Sequence, residues 1–142
     1  MTRRVIFLDI DGVLAPVRRW DRYEDLEPAC VRVLNEIVAE ASADIVVSST
    51  WRHGRTVDEL QALLEAAGFT GSVIDKTPRG APGTDRGDEI AAWLAEHTVA
   101  GYLIVDDHPG MGPLRSRLLL TNPGRGLQSS DVARAVEILM RP

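Results

Sequence analysis

Short, wholly apolar runs alternate along this chain with longer stretches in which apolar residues recur at helical spacing. Val5-Ile6-Phe7-Leu8 is the first such run, partly β-branched and free of polar residues, as expected of a strand covered on both faces. It stops abruptly at Asp9. After a polar, Pro- and Arg-bearing stretch to about Asp25, Cys30, Leu34, Ile37, Val38 and Ala41 fall at helical spacing behind Pro28, which suits a first helical turn. Ile45-Val46-Val47 predicts a second strand that ends in Ser48-Ser49-Thr50. Thr56 and Glu59 form a capping-box pair ahead of the stripe Val57, Leu60, Leu63, Leu64 and Ala67, and Gly68 is a natural stop. Val73-Ile74 is a short strand candidate, followed by a Gly- and Pro-rich stretch from Asp75 to Asp85 that is long for a plain connection. A helix from about Arg86 to His97 carries Ile90, Trp93, Leu94 and His97 on one side. Tyr102-Leu103-Ile104-Val105 predicts a strand ending in Asp106-Asp107, Leu118-Leu119-Leu120 a fifth strand, and Val132, Val136 and Leu139 a final helix behind Ser129 or Ser130.

This alternation predicts an α/β fold: a doubly wound, five-stranded parallel sheet with helices on both faces. In such sheets ligands bind beyond the carboxyl ends of the strands, near the point where strand order reverses. Three of the strongest strands run directly into polar groups at those ends: Asp9 and Asp11, then Ser48 and Ser49, then Asp106 and Asp107. As neighbours, these strands would bring the groups to one site.

Composition narrows the classes. The 142 residues match the size of one compact domain, expected to span 1–142, and 44% hydrophobic with 26% charged residues excludes a disordered or fibrous chain. A net charge of −5 argues against a broadly basic nucleic-acid clamp, though it leaves room for a local basic patch. Of the 16 basic residues only Lys76 is lysine; so general an arginine excess reads first as compositional bias and decides nothing about function. The single cysteine, Cys30, excludes an internal disulfide or zinc framework and reads as core. The apolar run behind Arg3-Arg4 is too short for a signal sequence and no later run approaches spanning length, so the expectation is a cytoplasmic protein with no membrane partner.

Four carboxylates in one crevice repel one another unless a cation neutralises them. Oxygen donors without a His or Cys cluster favour a hard ion, and Mg²⁺ commonly takes one or two carboxylates plus waters and a substrate phosphate. Serine hydroxyls and the basic residues of nearby loops would then hold phosphate oxygens.

The run Val5 to Leu14, an apolar strand closing in Asp9-Ile10-Asp11-Gly12-Val13-Leu14, resembles the first motif of the haloacid dehalogenase (HAD)-like hydrolase superfamily. The resemblance continues in order. Ser49 or its neighbour Ser48 matches the hydroxyl motif after the second strand, and Asp106-Asp107 matches the acidic fourth motif. Arg86, opening the phrase Arg86-Gly87-Asp88-Glu89-Ile90, looks like the basic third motif, with Lys76 and Arg79 as competitors on the same loop. A calcium loop of the EF-hand type, which also begins DxDG, does not fit: Val13 and Trp20 stand where it needs ligands.

The resemblance implies a Mg²⁺-dependent phosphatase. Asp9 would be the nucleophile that forms an aspartyl-phosphate, and Asp11 the general acid and then base. The metal would be held by Asp9, the main-chain carbonyl of Asp11, and Asp107, with Asp106 in support. Ser49 or Ser48, with Arg86, would bind the transferring phosphoryl group. Arg86 sits in a helical first turn, where positive charge is disfavoured, which itself suggests a functional reason. Trp51 is expected to serve partly as packing and partly as a substrate wall, and Arg52 to reach a substrate phosphate. His53 and His108 read as loop residues near the site, and Arg18, Arg19 and Trp20 as part of a flap. One departure stands out: no acid follows Asp107 at Gly110 or Met111, where many members carry one.

Neither connection that could hold a cap domain has room for one, so the resemblance is to a small capless member with an open site, similar to HAD domains found alone or in RNA-repair proteins. The expected partner is a phosphorylated substrate: a nucleotide, a polynucleotide end or another phosphomonoester. Two other classes compete. A non-catalytic HAD-like domain would bind phosphorylated ligands without turnover, as the missing acid suggests. A receiver-like signalling domain would carry its acid pair after the first strand and its phospho-acceptor after the third, and the order here opposes it.

Overall fold

All four residues of the run Val5-Ile6-Phe7-Leu8 are fully buried, and alternate positions serve two different cores. The computed structural model describes residues 3–17 and 26–142; the flap candidates Arg18, Arg19 and Trp20 lie outside the described residues. Strands β1 (Arg3–Leu8), β2 (Ala43–Val47), β3 (Val73–Lys76), β4 (Val99–Asp106) and β5 (Leu118–Leu120) form one parallel sheet in the order β3-β2-β1-β4-β5. Helices α1 (Pro28–Ala41), α2 (Val57–Ala66) and α4 (Val132–Leu139) supply the core on one face, against Ile6, Leu8, Ile45, Val47, Leu103 and Val105. Helix α3 (Arg86–Ala95) covers the other face, where Ile90 and Trp93 meet Val5, Phe7, Val46 and Ile104. Phe7 makes edge-to-face contacts with Trp93 at 5.4 Å and Tyr102 at 5.9 Å, a geometry that aromatic quadrupoles favour. The expected α/β architecture, five parallel strands with helices on both faces, is thus the one observed.

Local signals behave as their chemistry requires. Pro28 opens α1, where its missing N–H costs nothing. Thr56 and Glu59 exchange both capping-box hydrogen bonds at the start of α2. Cys30 is core, 2% exposed. Several boundaries differ from expectation, β4 among them, which begins at Val99. β3 extends to Lys76 because its backbone pairs with β2. α3 ends at Ala95 as the bonds tighten, Glu96 N–H donating to the Trp93 carbonyl, and His97 stacks on the Trp93 ring instead, 3.8 Å between centroids. Ser129–Asp131 forms a 3₁₀ turn, so α4 begins only at Val132.

From β1 the chain builds outward through β2 and β3, then returns to place β4 and β5 on the other side of β1. The reversal therefore lies between β1 and β4. Among the described residues no helix or strand is inserted between β1 and α1 or between β3 and α3, and no helix is long and apolar enough to cross a membrane.

Candidate active site

The strand register assembles the site. Leu8 pairs with Val47 on one side and Val105 on the other, and Val47 pairs with Lys76. One residue further along, Thr77, Ser48, Asp9 and Asp106 therefore form a row. Backbone bonds continue the ladders into it: Thr77 N–H to the Val47 carbonyl, Ser48 N–H to Leu8 and Asp9 N–H to Val105, each 3.0 Å. Strand alternation gives this row the parity of Phe7, Val46 and Ile104, the residues facing α3.

Arg86, the first residue of α3, reaches that row. Its Nη1 lies 3.1 Å from Asp9 Oδ1 and donates to Asp106 Oδ2 at 2.7 Å. Gly87 lets the start of α3 lie against the backbone of Met111, which a Cβ would approach to 3.1 Å. Burial would depress the Arg86 pKa, but the carboxylates of Asp9 and Asp106 outweigh it and hold the guanidinium above its ordinary value. Lys76 and Arg79, the other candidates for the basic motif, line a different cleft.

Asp9, Asp106 and Asp107 each offer an oxygen, all within 4.8 Å of one another. Asp9 is 4% exposed and Asp106 fully buried. Burial, and then the Asp106 charge, push the Asp9 carboxyl up to about 8, against the opposing pull of Arg86. Asp107 is also raised, by burial first and Asp106 next. Among the described residues one arginine faces three acids, which leaves the cluster short of positive charge. Such an all-oxygen group fits a hard cation. Gly12 sits against it with φ +78°, and a Cβ there would collide with the Asp107 carboxylate, so glycine is required for both conformation and space. The Thr121 hydroxyl secures this turn by donating to the Gly12 carbonyl at 2.8 Å.

Asp11 stands apart from the three clustered carboxylates. Its Oδ2 accepts the Trp51 indole N–H at 2.9 Å. Asp9, Asp11, Arg86 and Asp107 line a cavity of about 370 Å³ together with Thr50 and His108. Thr50 escaped the sequence reading, although it directly follows the serine pair. His108 reaches the cavity wall, and its N–H donates to Asp106 Oδ1 at 3.0 Å.

The two serines separate. Ser49 Oγ accepts the Trp51 N–H at 3.2 Å and so caps the 3₁₀ turn Thr50–Arg52. Ser48 Oγ, in the row beside Asp9, is buried without a hydrogen-bond partner among the described residues. Arg52, expected at a substrate phosphate, is instead 3% exposed and engaged within the fold. Its Nη2 lies 2.9 Å from Glu89 of α3, and its other donors go to the carbonyls of Ser48, Ser49, Thr77 and Pro78. A buried guanidinium so satisfied is a structural clamp between the ends of β2 and β3 and α3.

Neither the curated proteins nor the solved structures contain a match to this chain. A family model does match, over residues 5–132, from the first core residue of β1 to the start of α4. On the strength of that match and the fold it spans, the chain belongs to the family described as the HAD domain in Swiss Army Knife RNA repair proteins.

Proposed function

We propose that this chain is a Mg²⁺-dependent phosphomonoesterase that acts through an aspartyl-phosphate on Asp9, on a nucleotide, a polynucleotide end or a similar phosphomonoester. The observation that carries the reading is the position of Asp9: at the topological switch point, within a three-carboxylate cluster, and bridged by Arg86 to Asp106. Membership of a family described from RNA repair proteins supports a phosphorylated nucleic-acid substrate.

An Asp9 carboxylate oxygen attacks phosphorus, and the bond to the leaving oxygen breaks as Asp11 gives that oxygen its proton. Asp11, now ionised, takes a proton from water, whose oxygen attacks the same phosphorus and releases inorganic phosphate with Asp9 restored. Arg86 holds the charge on the equatorial oxygens. Ser48 is the stronger candidate for the phosphate hydroxyl, supported by its place in the row and its unpartnered Oγ. Asp9, Asp107 and the Asp11 carbonyl would hold Mg²⁺, with Asp106 behind them, and the ion would supply the positive charge that the cluster lacks.

Release of phosphate from an aryl phosphate and a nucleotide panel, with and without Mg²⁺, tests this directly. Metal-dependent release that disappears in Asp9→Asn is expected; release no greater than that of Asp9→Asn would sink the proposal. Beryllium fluoride should trap an adduct on Asp9, and an adduct elsewhere would refute the nucleophile assignment. The absence of an acid over residues 108–112 favours, as a second reading, a domain that binds phosphorylated ligands without turnover. Binding of the nucleotides with no phosphate release would select it.

A further inference from the structure

Beside the acidic cavity, across the Thr50–Arg52 turn, lies a second cleft of about 340 Å³ beyond the ends of β2 and β3. Its character is the reverse of the first. Its lining carries Arg52, His53, Lys76 and Arg79 against one acid, Asp75, whose carboxylate is already taken up by the Trp93 indole N–H and the Lys76 backbone N–H, in a chain of net charge −5. Arg52 is engaged internally, whereas Arg79 is exposed at the rim. Lys76 Nζ donates to the Arg55 carbonyl at 2.7 Å. Two polar atoms in the cleft lining, Thr77 Oγ1 and His53 Nε2, are buried and have no hydrogen-bond partner among the described residues. The imidazole of His53 is pushed below its usual range, by burial first and then by Arg52 and Arg79. An unpartnered hydroxyl and ring nitrogen in a positive cleft fit a ligand rich in anionic oxygen.

The cleft and the site lie along one row of strand ends. Thr77 occupies the same row as Ser48 and Asp9, two strands away, or about 10 Å at the usual spacing. Trp51, half-buried, stands on the turn between the two cavities, with the Arg55 guanidinium 5.7 Å from its ring centroid. Basic groups interleaved with an aromatic are the pattern of a single-strand channel, in which the groove tracks phosphates and the ring offers a stacking face.

We propose that this cleft is a second phosphate subsite, which takes the backbone phosphodiester of a nucleic-acid strand whose terminal phosphate lies at Asp9. It rests on the phosphatase reading for the direction of the strand, and adds that the substrate is a polynucleotide end rather than a mononucleotide.

The test uses a short single-stranded oligoribonucleotide with hydroxyls at both ends, which engages the cleft without offering a scissile phosphate. Its anisotropy titration against the intact protein should give salt-sensitive binding. Arg79→Glu should raise the Kd about tenfold and lower the salt slope by about 1. Arg79→Gln should move it the same way by less. Arg134→Glu, on the exposed face of α4, should leave it unchanged. An unaltered Kd in Arg79→Glu, an equal loss in Arg134→Glu, or equal binding of a polyglutamate peptide would each overturn the subsite. Phosphate release with Arg79-independent binding would sink the cleft alone, whereas Arg79-dependent binding without phosphate release would sink the phosphatase reading alone.

Discussion

Two arginines, one closing the Thr50–Arg52 turn and the other opening α3, are used in opposite ways. Arg86 has a quarter of its side chain exposed and directs one nitrogen at two acids in the cavity. Arg52 is 3% exposed and directs its donors at Glu89 and four backbone carbonyls. The regions around them differ in the same sense. Among the described residues the cavity sets three clustered carboxylates against one arginine, whereas the cleft lining sets Arg52, Lys76 and Arg79 against Asp75. Proximity to a site in sequence therefore says little about an arginine's role. What decides it is whether its donors are already satisfied inside the fold.

Truncating each arginine separates the two roles. Arg52→Ala leaves the nearly buried Glu89 and four carbonyls without their donor, and should cost about 3–5 kcal/mol in equilibrium denaturation. Arg86→Ala should instead lower kcat by about 10²–10³, the scale of losing one donor to a developing charge, with a smaller loss of stability. The reverse pattern, a folded and inactive Arg52→Ala beside an unfolded Arg86→Ala, would invert the assignment.

Asp9 and Asp106 were legible in the sequence because each follows directly on an apolar run, and a strand's end is a local signal. Arg86 was marked by the phrase that opens its helix, whereas only register, which carries β3 away from β1, shows its competitors Lys76 and Arg79 to line a different cleft. Parity could have separated the serines: Asp9, Ser48 and Asp106 are each the first polar residue after their apolar run, and neighbouring strands in register place such residues side by side. The fate of Arg52 was not legible. It depends on carbonyls at Thr77 and Pro78 and on Glu89 of α3, contacts that only the tertiary fold creates. Thr50 at the cavity wall likewise depends on the 3₁₀ turn, which carries no apolar periodicity.

The deficit of positive charge in the cavity has a measurable consequence. The Asp9 carboxyl, raised by burial and Asp106 to about 8, holds its proton more tightly folded than unfolded. The folded state then binds more protons than the unfolded one between the ordinary carboxylate range and about 8, so stability falls as pH rises through that window. In metal-free protein the loss should approach about 1.4 kcal/mol between about pH 6 and about pH 7. Asp9→Asn should flatten the dependence, and excess Mg²⁺ should flatten it while releasing protons. A stability that stays flat over this window would show that Arg86 alone balances the cluster.

The smallest expected effect is the sharpest test of how the two regions communicate across the turn between them. Trp51 belongs to that turn, and its indole N–H donates to Asp11 Oδ2 at 2.9 Å. Trp51→Phe keeps a ring and removes the donor, a change of about 1 kcal/mol. If the indole orients Asp11 as the acid that protonates the leaving oxygen, the loss depends on how much that oxygen needs a proton. The kcat/KM for an alkyl or nucleoside phosphate should fall about fivefold, while that for an aryl phosphate, whose leaving group departs as a stable anion, should barely change. Equal losses on both substrates would mean that the ring packs against the substrate and does not act through Asp11. Addition of Arg79→Glu should then leave the leaving-group dependence of Trp51→Phe intact, because Arg79 lies on the far side of the turn and touches only the strand beyond the reacting phosphate.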